Sequence, residues 1–579
     1  VGSEMCIRDS RYGTLQTLFA DRVFRIPPYQ RFYSWRAKQR EELFSDLNKL
    51  IASSEDQHHF MATVVCHRTA EIKPIGTAQY RVYEVVDGQQ RLTTLILLLK
   101  CIELDLLENS DDREELAKVL VKRDGHLILL QTNNANAYIF NRFIKDGTKP
   151  TNPEIQTHSD HNLASAIDGC QKYVREWESK RDPLQLMRLI LHRLGFVVYD
   201  TEDSRVVYTL FEVLNSRGLA VDWLDKTKSV LMGKAYELCA SPAAAQAEIQ
   251  NLQGIWSQIY QELAKNDIPG EEILRVAATL RYGPRQGKPR PSDESLELLR
   301  NECKSCGRPT QISEWLLAVA QKLGNLYSNL QWNAVTEILH ARLLAVAIMS
   351  AQGVNEEERK KLLEQWERVT FRIFGLFGKD SRQKVGDYVR LGYSIATGDI
   401  NVRTYNQIMA GLRELGREYP VDQAVDEAFL REDIYERSPE VCRYLLWNYE
   451  EHLAENLGSG STVDEHERSA IWKKGAADSI EHSCPQNPGP KWMEKMNGAR
   501  GLEKTLQSAV GSIGNLLLLP ASLNSEAKIR PFEEKKKIYE KHNLRMIKEV
   551  CSECDWSPTQ IENREEKIAD WAKSRWSDI

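Results

Sequence analysis

The hydrophobic pattern of the first part of the chain predicts strands that lead into helices. Residues 59–67 and 80–86 alternate or run apolar with β-branched side chains, as strands do. The second run ends at Asp87-Gly88, and residues 92–107 then form a strong apolar helical run. Another helix is predicted to begin near Ala37, after a loop that contains two prolines. The order of strand, tight turn and helix is typical of an α/β domain.

Further along the chain, the α/β pattern gives way to long amphipathic helices. Residues 195–199 form a β-type run, and residues 202–232 then have the pattern of a helix, a glycine-marked turn and a second helix. We therefore predict an α/β domain over residues 11–235. Residues 236–440 carry long amphipathic helices with no repeat of fixed period, which predicts a helical middle domain.

The C-terminal region predicts a small β-β-α arrangement embedded in helices. A helix over residues 441–453 and a Gly/Ser linker come first. Strand-like pieces follow at residues 479–484 and 513–519, and then a Lys-rich helix from about residue 530 to 550. This order assigns residues 441–579 to a C-terminal domain. The overall expectation is a multi-domain, helix-rich α+β protein.

Composition and charge exclude several classes of protein. The chain of 579 residues is too long for a single core, and 42% hydrophobic with 28% charged residues exclude global disorder. No apolar run approaches the roughly 18–20 residues of a membrane span, so we expect a cytoplasmic protein without a membrane partner. The net charge of −6 confines nucleic-acid contacts to local basic patches, which lie at residues 22–40 and 528–548.

The cysteines and the first ten residues carry weak signals. The eleven cysteines are irregularly spaced, which does not predict a disulfide framework. Two CxxC pairs, Cys303/Cys306 and Cys551/Cys554, could together hold a structural zinc, but they are far apart in the sequence and free cysteines on helices are favoured. Residues 1–10 resemble a read-through artefact of assembled sequencing data, so the true N-terminus is expected to be missing.

The sharpest chemical pattern lies in three C-terminal segments: IEHSCPQ at 480–486, GNLLLLPASLN at 514–524 and FEEKKKIY at 532–539. His482 is an imidazole that is neutral near pH 7 and can take a proton from water. Glu481 and Asn524 offer the oxygen atoms that Mg²⁺ prefers. Basic residues suited to phosphate contact follow, namely Lys528, Arg530, Lys535, Lys536 and Lys537. A base, a metal site and phosphate contacts together predict a phosphodiester hydrolase.

These segments resemble the His-Me finger (HNH) nuclease core, in which an acidic residue and a histidine close the first strand and two later positions complete the site. The resemblance implies that His482 is the general base and that Glu481 and Asn524 bind Mg²⁺ or Mn²⁺. It also implies that Asn515 orients His482 or pins the adjacent loop. Many members carry aspartate where this chain has Glu481, so Asp478 is the reserve metal ligand.

A second pattern, VVDGQQRLTTL at residues 85–95, places a glycine turn between a strand and a helix. Such a turn presents N–H groups to an anion, and Arg91 in the first helical turn adds a guanidinium group. The loop PPYQRFYSW at residues 27–35 alternates arginines with aromatic residues, which suits phosphates plus a stacked base. Phe32 and Trp35 are explained equally well as core anchors of this loop.

Together with FEVLNSRG at residues 211–218, these two segments look like the N-terminal domain of the GmrSD family, a ParB/sulfiredoxin-like fold that binds and hydrolyses nucleoside triphosphates. The absence of a GxxxxGK[ST] segment agrees with a nucleotide site that is not a P-loop. The resemblance implies a nucleotide site made of Asp87, Gly88, Gln89, Gln90, Arg91, Asn215 and Arg217. It implies that modified DNA is sensed by Tyr29, Gln30, Arg31 and Trp35.

The chain is thus similar at both ends to the GmrSD-type modification-dependent (type IV) restriction endonucleases, whose relatives include SspE-like and BrxU-like proteins. The resemblance implies an anti-phage DNA endonuclease that recognises modified phage DNA, responds to GTP, ATP or UTP, and nicks or cleaves phosphodiester bonds with a metal ion. Self-association into a homo-oligomer stays open. Two alternatives also stay open: a ParB-like DNA-binding NTPase with an inactive nuclease finger, and a toxin-like nuclease that acts on host nucleic acid.

Overall fold

A computed structural model of the chain describes residues 10–20, 22–51, 59–75, 78–122, 127–132, 137–203, 206, 222–329, 332, 337–430, 434–456, 465–472, 475–497 and 506–579. The chain divides into two compact units, residues 1–278 with 291–324 and residues 279–290 with 325–579. The predicted helix-rich α+β class is confirmed. The helices between residues 236 and 440 are shared between the two units, and the domain boundaries at 235 and 440 stay predictions. None of the helices in the described part of the chain is long and apolar enough to cross a membrane.

A mixed sheet organises the first unit. Its strands are β1 (Ser10–Thr14), β2 (Arg22–Ile26), β3 (His59–Ile75), β4 (Ala78–Asp87), β5 (Val121–Lys122), β6 (Leu127–Ile128), β7 (Leu130–Thr132) and β8 (Leu194–Thr201). Among the described residues the main sheet has the order β1-β8-β3-β4-β2-β7, and β5 pairs with β6 apart from it. β3 is antiparallel to β4 and parallel to β8, whereas β2 is parallel to both of its neighbours. The predicted strands at 59–67, 80–86 and 195–199 are all present.

The helix Gln89–Asp105 is buried on nearly all of its faces. The side chains of its run Leu95–Leu99 have no solvent exposure, as expected for a helix that is apolar all round. Gly88 precedes the helix with φ of 91°, a left-handed conformation that glycine adopts without steric cost. The turn predicted at Asp87-Gly88 is therefore confirmed, and it leads the chain from β4 into this buried helix.

The other described helices of this part of the chain come before, between and after these strands in the sequence. Their bounds are Leu15–Phe19, Ala37–Ile51, Asp111–Leu120, Ala137–Asp146, His158–Glu178, Pro183–Arg188, Trp223–Leu238, Pro242–Asn266, Gly270–Tyr282, Ser292–Glu302 and Arg308–Ser328. The helix predicted near Ala37 begins at that residue.

One cysteine prediction is wrong. Cys306 is not a free thiol but forms a disulfide bond with Cys239, whose Cα atom lies 4.8 Å from that of Cys306. The bond joins the end of the helix Trp223–Leu238 to the turn after Ser292–Glu302, a proximity that arises from the fold and leaves no trace in cysteine spacing. Cys303 is a free, buried cysteine.

The described residues of the second unit form mainly helices, together with one short strand pair. The pair is β9 (Ile480–His482) and β10 (Leu516–Leu518), which are antiparallel. The helices are Leu339–Ser350, Glu356–Thr370, Val385–Thr397, Tyr405–Gly416, Val421–Leu430, Ile434–Arg437, Pro439–Glu455, Glu465–Trp472, Pro490–Asn497, Leu506–Gly511, Ala521–Ala527, Phe532–Tyr539, Arg545–Ser552 and Pro558–Arg575.

The Lys-rich helix predicted over residues 530–550 is in fact two helices. Phe532–Tyr539 ends before a short turn, and Arg545–Ser552 begins after it. The turn contains His542 and Asn543, which have low helix propensity. Breaking the helix there lets each part bury its own apolar face.

Candidate functional site

The predicted strand-strand-helix arrangement is present in the second unit. His482 pairs with Leu516 across the antiparallel strands β9 and β10, and the helix Ala521–Ala527 follows β10. Asn524 on this helix donates through Nδ2 to the backbone oxygens of Asp478 and Ile480, at 2.9 and 3.0 Å. The amide therefore clamps the helix onto the start of β9. No hydrogen bond from the described residues reaches its Oδ1 atom.

His482 lies at the end of β9 with only 8% of its surface exposed. Its ring stands edge-to-face against the ring of Tyr435, with centroids 4.6 Å apart and an interplanar angle of 88°. Burial, and next the charge of Lys535, lower the pKa of His482 to about 4. The imidazole is therefore neutral at pH 7. No described residue hydrogen-bonds to either ring nitrogen, so a nitrogen remains available to accept a proton.

Glu481 is engaged in a buried network on the other side of β9. Its carboxylate accepts hydrogen bonds from Lys535 Nζ at 2.6 Å and from the Tyr539 hydroxyl at 2.9 Å. Burial raises the pKa of Glu481 and lowers the pKa of Lys535, and each partner opposes the shift of the other. Adjacent residues of a strand face opposite sides, which explains why Glu481 and His482 have separate surroundings.

One prediction needs correction here. Lys535 was expected to contact DNA phosphate, but its side chain is fully buried and also donates to the His482 backbone oxygen at 2.7 Å. The metal-binding role of Glu481 stays a prediction, although Lys535 and Tyr539 both donate to its Oε1 atom. The lysine faces inward because Phe532, Lys535 and Tyr539 follow helical spacing along one buried side of their helix.

Asn515 fastens the loop after β9. Its Oδ1 accepts from the Cys484 N–H at 2.7 Å, and its Nδ2 donates to the backbone oxygens of Cys484 and Val510, each at 2.9 Å. Trp556 adds an indole N–H bond to the same Oδ1 at 3.0 Å. Of the two roles implied for Asn515, these contacts match the one in which it pins the loop, and no bond to the His482 ring accompanies them.

Asp478 and Asn524 are two further residues that could offer oxygen atoms to a divalent cation. Asp478 is exposed on the short turn Ala477–Ser479 that leads into β9, and its backbone oxygen is held by Asn524. Carboxylate and amide oxygens are the donors that Mg²⁺ and Mn²⁺ prefer. Within the described residues no cluster of three or more histidine, cysteine, aspartate or glutamate side chains could hold a metal, so the amide of Asn524 is needed for this donor set.

In the first unit, the loop at residues 27–36 lies against the turn that begins the helix Gln89–Asp105. Gln90 donates to the Phe32 backbone oxygen at 3.0 Å and accepts from the Ser34 N–H at 2.9 Å. Gln30 donates to the Val86 backbone oxygen at 3.1 Å. The two segments singled out from the sequence therefore meet, and the buried amides of Gln30 and Gln90 are what join them.

Opposite charges meet at the end of β4. The carboxylate of Asp87 accepts the Gly88 N–H at 2.8 Å. Burial raises the pKa of Asp87 and lowers the pKa of Arg91, and the attraction between them opposes both shifts. The Arg91 guanidinium lies 5.9 Å from the ring centroid of Trp35. A partly desolvated arginine beside a glycine turn can bind an anionic ligand such as a phosphate.

Two cavities flank the loop. One of about 550 Å³ is lined by Tyr29 and one of about 670 Å³ is lined by Arg31 and Trp35. Gln89 has a buried Oε1 atom without a hydrogen-bond partner among the described residues, so it can still accept a hydrogen bond from a ligand. Asn215 and Arg217 lie outside the described residues.

Two family models match the chain. The model for the GmrSD restriction endonuclease N-terminal domain matches residues 15–232, and the model for the C-terminal domain matches residues 419–571. The chain belongs to the GmrSD restriction endonuclease family. No curated protein matches it. Membership identifies a DNA endonuclease of the type IV restriction class, with a role in phage defence.

Each match to the GmrSD family contains one of the two sites. The N-terminal match covers the loop and the Asp87-Gly88 turn, and the C-terminal match covers β9, β10 and the helix with Asn524. The GmrSD C-terminal match also includes Tyr435, which nothing in the sequence pattern singled out. Tyr435 is far from His482 in the sequence, and only the fold brings the two rings together.

The remaining basic residues predicted to contact phosphate differ in their surroundings. Lys528 is exposed and has no ion pair among the described residues. Arg530 is half-exposed and interacts with Glu534 at 3.4 Å. Lys536 donates to the Glu553 backbone oxygen at 2.8 Å. Of these three cations in the GmrSD C-terminal region, Lys528 is therefore the least committed.

Proposed function

We propose that this GmrSD-family endonuclease hydrolyses DNA in its second unit with His482 as general base, and that it does so on modified DNA under the control of a nucleoside triphosphate. The observation that carries the first part is the neutral His482 ring, whose nitrogens accept no hydrogen bond from the described residues, at the end of a strand clamped by Asn524. This constellation supports a His-Me finger (HNH) type of site.

His482 would accept a proton from the attacking water, because only a neutral imidazole can act as a base. Asp478 and the Oδ1 atom of Asn524 would hold Mg²⁺ or Mn²⁺. A divalent cation bound there supplies charge stabilisation to the phosphate and its leaving oxygen. Tyr435 fixes the plane of the His482 ring, and Asn515 fixes the loop that follows it. Lys528 and Arg530 are the cations best exposed to contact the DNA backbone.

The interpretation as an inactive nuclease finger rested on glutamate in place of aspartate at position 481. That glutamate is paired with Lys535, and the proposed metal ligands are Asp478 and Asn524 instead. The residue at 481 therefore no longer argues against catalysis.

Cleavage by the variant His482→Ala tests the assignment directly. We expect the rate of metal-dependent cleavage to fall about 10²–10⁴-fold, the usual contribution of a general base. The assay uses unmodified, glucosylated hydroxymethylcytosine and phosphorothioate DNA, each with GTP, ATP or UTP, and with Mg²⁺ or EDTA. His161→Ala, an exposed histidine on the helix His158–Glu178, is the matched control. Unchanged Mg²⁺-dependent cleavage by His482→Ala would reject His482 as the base.

For the first unit, we propose that the turn Asp87-Gly88 and Arg91 bind the phosphates of the nucleotide. The supporting observation is the arginine and aspartate pair at the glycine turn, partly removed from water. Arg91→Ala should weaken nucleotide binding about tenfold or more, since hydrogen bonds to a charged group contribute about 1.5–3 kcal/mol. Titration of GTP, ATP and UTP into purified protein measures this. Equal affinities for Arg91→Ala and wild type would place the phosphate site elsewhere.

A further inference from the structure

Lys228 is a buried lysine on the helix Trp223–Leu238 that neither proposed site uses. Only 2% of its surface is exposed. Its ammonium group donates to Gln30 Oε1 at 2.9 Å and to the Tyr29 backbone oxygen at 3.2 Å. Both acceptors belong to the loop at residues 27–36. The lysine therefore reaches from its helix into the loop that borders both cavities.

The neighbouring turn of the same helix contacts Arg31, the next residue of the loop. Asp225 forms an ion pair with Arg31 Nε at 3.2 Å and accepts a hydrogen bond from the Tyr260 hydroxyl. Asp222 lies 3.9 Å from Arg31 Nη1. Burial lowers the pKa of Arg31, but the charges of Asp225 and Asp222 outweigh this effect and raise it. Three consecutive loop residues, 29 to 31, are thus fixed by one helix.

Arg31 lies between two carboxylates at the border of one cavity. Asp225 faces its Nε atom and Asp222 faces its Nη1 atom, and the side chain lines the cavity of about 670 Å³. The two aspartates therefore fix the direction of the guanidinium at this end of the loop.

The same contacts connect the loop to the proposed nucleotide turn. Gln30 accepts from Lys228 through Oε1 and donates through Nε2 to the backbone oxygen of Val86, which directly precedes Asp87. An amide held at both ends transmits a displacement at one end to the other. A lysine buried against two neutral oxygens is costly for stability alone, because an apolar side chain would fill the space without desolvating a charge.

We propose that Lys228 and Asp225 are positioning residues that set the Tyr29–Arg31 segment relative to the Asp87-Gly88 turn, so that the turn and Arg91 are held in place to bind the phosphates of a nucleotide. The inference rests on the proposed nucleotide site in the first unit. It makes the helix Trp223–Leu238 part of the nucleotide-binding machinery although Lys228 itself touches no ligand. The two residues act through the loop and through Gln30.

The test compares Lys228→Met, Lys228→Arg and Asp225→Asn with wild type. GTP, ATP and UTP are each titrated with Mg²⁺, and the KM and kcat of nucleotide hydrolysis are measured on protein whose folding is checked by thermal unfolding. We expect Lys228→Met and Asp225→Asn to raise KM about tenfold or more with a smaller change in kcat, as for loss of a charged hydrogen bond. Lys228→Arg, which keeps the charge and can reach the same oxygens, should restore part of the affinity.

Lys234→Met is the matched control, because Lys234 is on the same helix and pairs with Glu237 at the surface. Its KM should equal that of wild type. A Lys228→Met protein that melts earlier but keeps the wild-type KM would overturn the inference, and Asp225→Asn with wild-type KM would do the same if Lys228→Met does not fold. Failure of wild type to bind any of the three nucleotides would reject the proposed nucleotide site and the inference with it.

Discussion

Each unit of this protein holds a functional segment with a buried lysine, but the two lysines are satisfied differently. Lys535 in the second unit pairs with the Glu481 carboxylate at 2.6 Å and also holds the backbone of His482. Lys228 in the first unit donates to an amide and a backbone oxygen, while the nearby Asp225 is used by Arg31 and Tyr260. The Lys535 charge is in direct contact with a carboxylate, whereas the direct partners of the Lys228 charge are neutral oxygens.

The difference indicates how the two sites are built. A buried ion pair with every partner in place fixes β9 before any ligand arrives, which suits a base that must be pre-oriented. The direct partners of the Lys228 ammonium group are neutral oxygens, and burial lowers its pKa to about 8 although the charges of Asp225 and Asp87 oppose this shift. We infer that the first unit gives up stability to hold its loop in one position, as functional sites often do.

The largest expected effect comes from breaking the compensated pair. Lys535→Met leaves the Glu481 carboxylate buried without its cation, so the free energy of unfolding of the second unit should fall by about 3–5 kcal/mol. Denaturant unfolding measures the loss. Lys537→Met, an exposed neighbour on the same helix, should have almost no effect.

The double variant Glu481→Gln with Lys535→Met sharpens this prediction. Removing both charges together should recover most of the lost stability, because no unpaired charge is left in the core. A double variant that is as unstable as Lys535→Met alone would show that the ion pair is not what makes this side of β9 sensitive.

Lys228 should make the free energy of unfolding of the first unit depend on pH. The pKa of Lys228 is lowered by burial from 10.5 to about 8, so the folded state binds fewer protons than the unfolded state between these values. The free energy of unfolding of the first unit should therefore rise relative to Lys228→Met as the pH increases from 8 to 10.5, by about 3 kcal/mol in total. Parallel stability curves for the two proteins over this range would contradict the lowered pKa of Lys228.

Several features of both sites could be predicted from the sequence because they depend on local order. The glycine turn after β4 and the strand-strand-helix order around His482 follow from short segments, whereas the loop-pinning role of Asn515 was one of two alternatives implied by the family resemblance. The contrasting environments of Glu481 and His482 had a signal that the prediction overlooked. Neighbours in a strand face opposite sides, so the two side chains are expected to have separate surroundings.

Other features depend on distant parts of the chain and left no local signal. The contact between Tyr435 and His482, the disulfide bond between Cys239 and Cys306, and the reach of Lys228 into the 27–36 loop all join segments that only the folded chain brings together. Lys535 is an intermediate case. Its helical spacing with Phe532 and Tyr539 indicated an inward face, but its charge suggested the surface.

The central claim is that the metal ligands are Asp478 and Asn524 and that Glu481 is a structural partner of Lys535. The most direct measurement is the Mg²⁺ and Mn²⁺ dependence of DNA cleavage by Asp478→Asn beside the double variant Glu481→Gln with Lys535→Met. We predict that Asp478→Asn needs about tenfold more metal or cleaves about tenfold more slowly, whereas the folded double variant keeps the wild-type metal dependence. Wild-type metal dependence in Asp478→Asn, together with its loss in the double variant, would contradict the account.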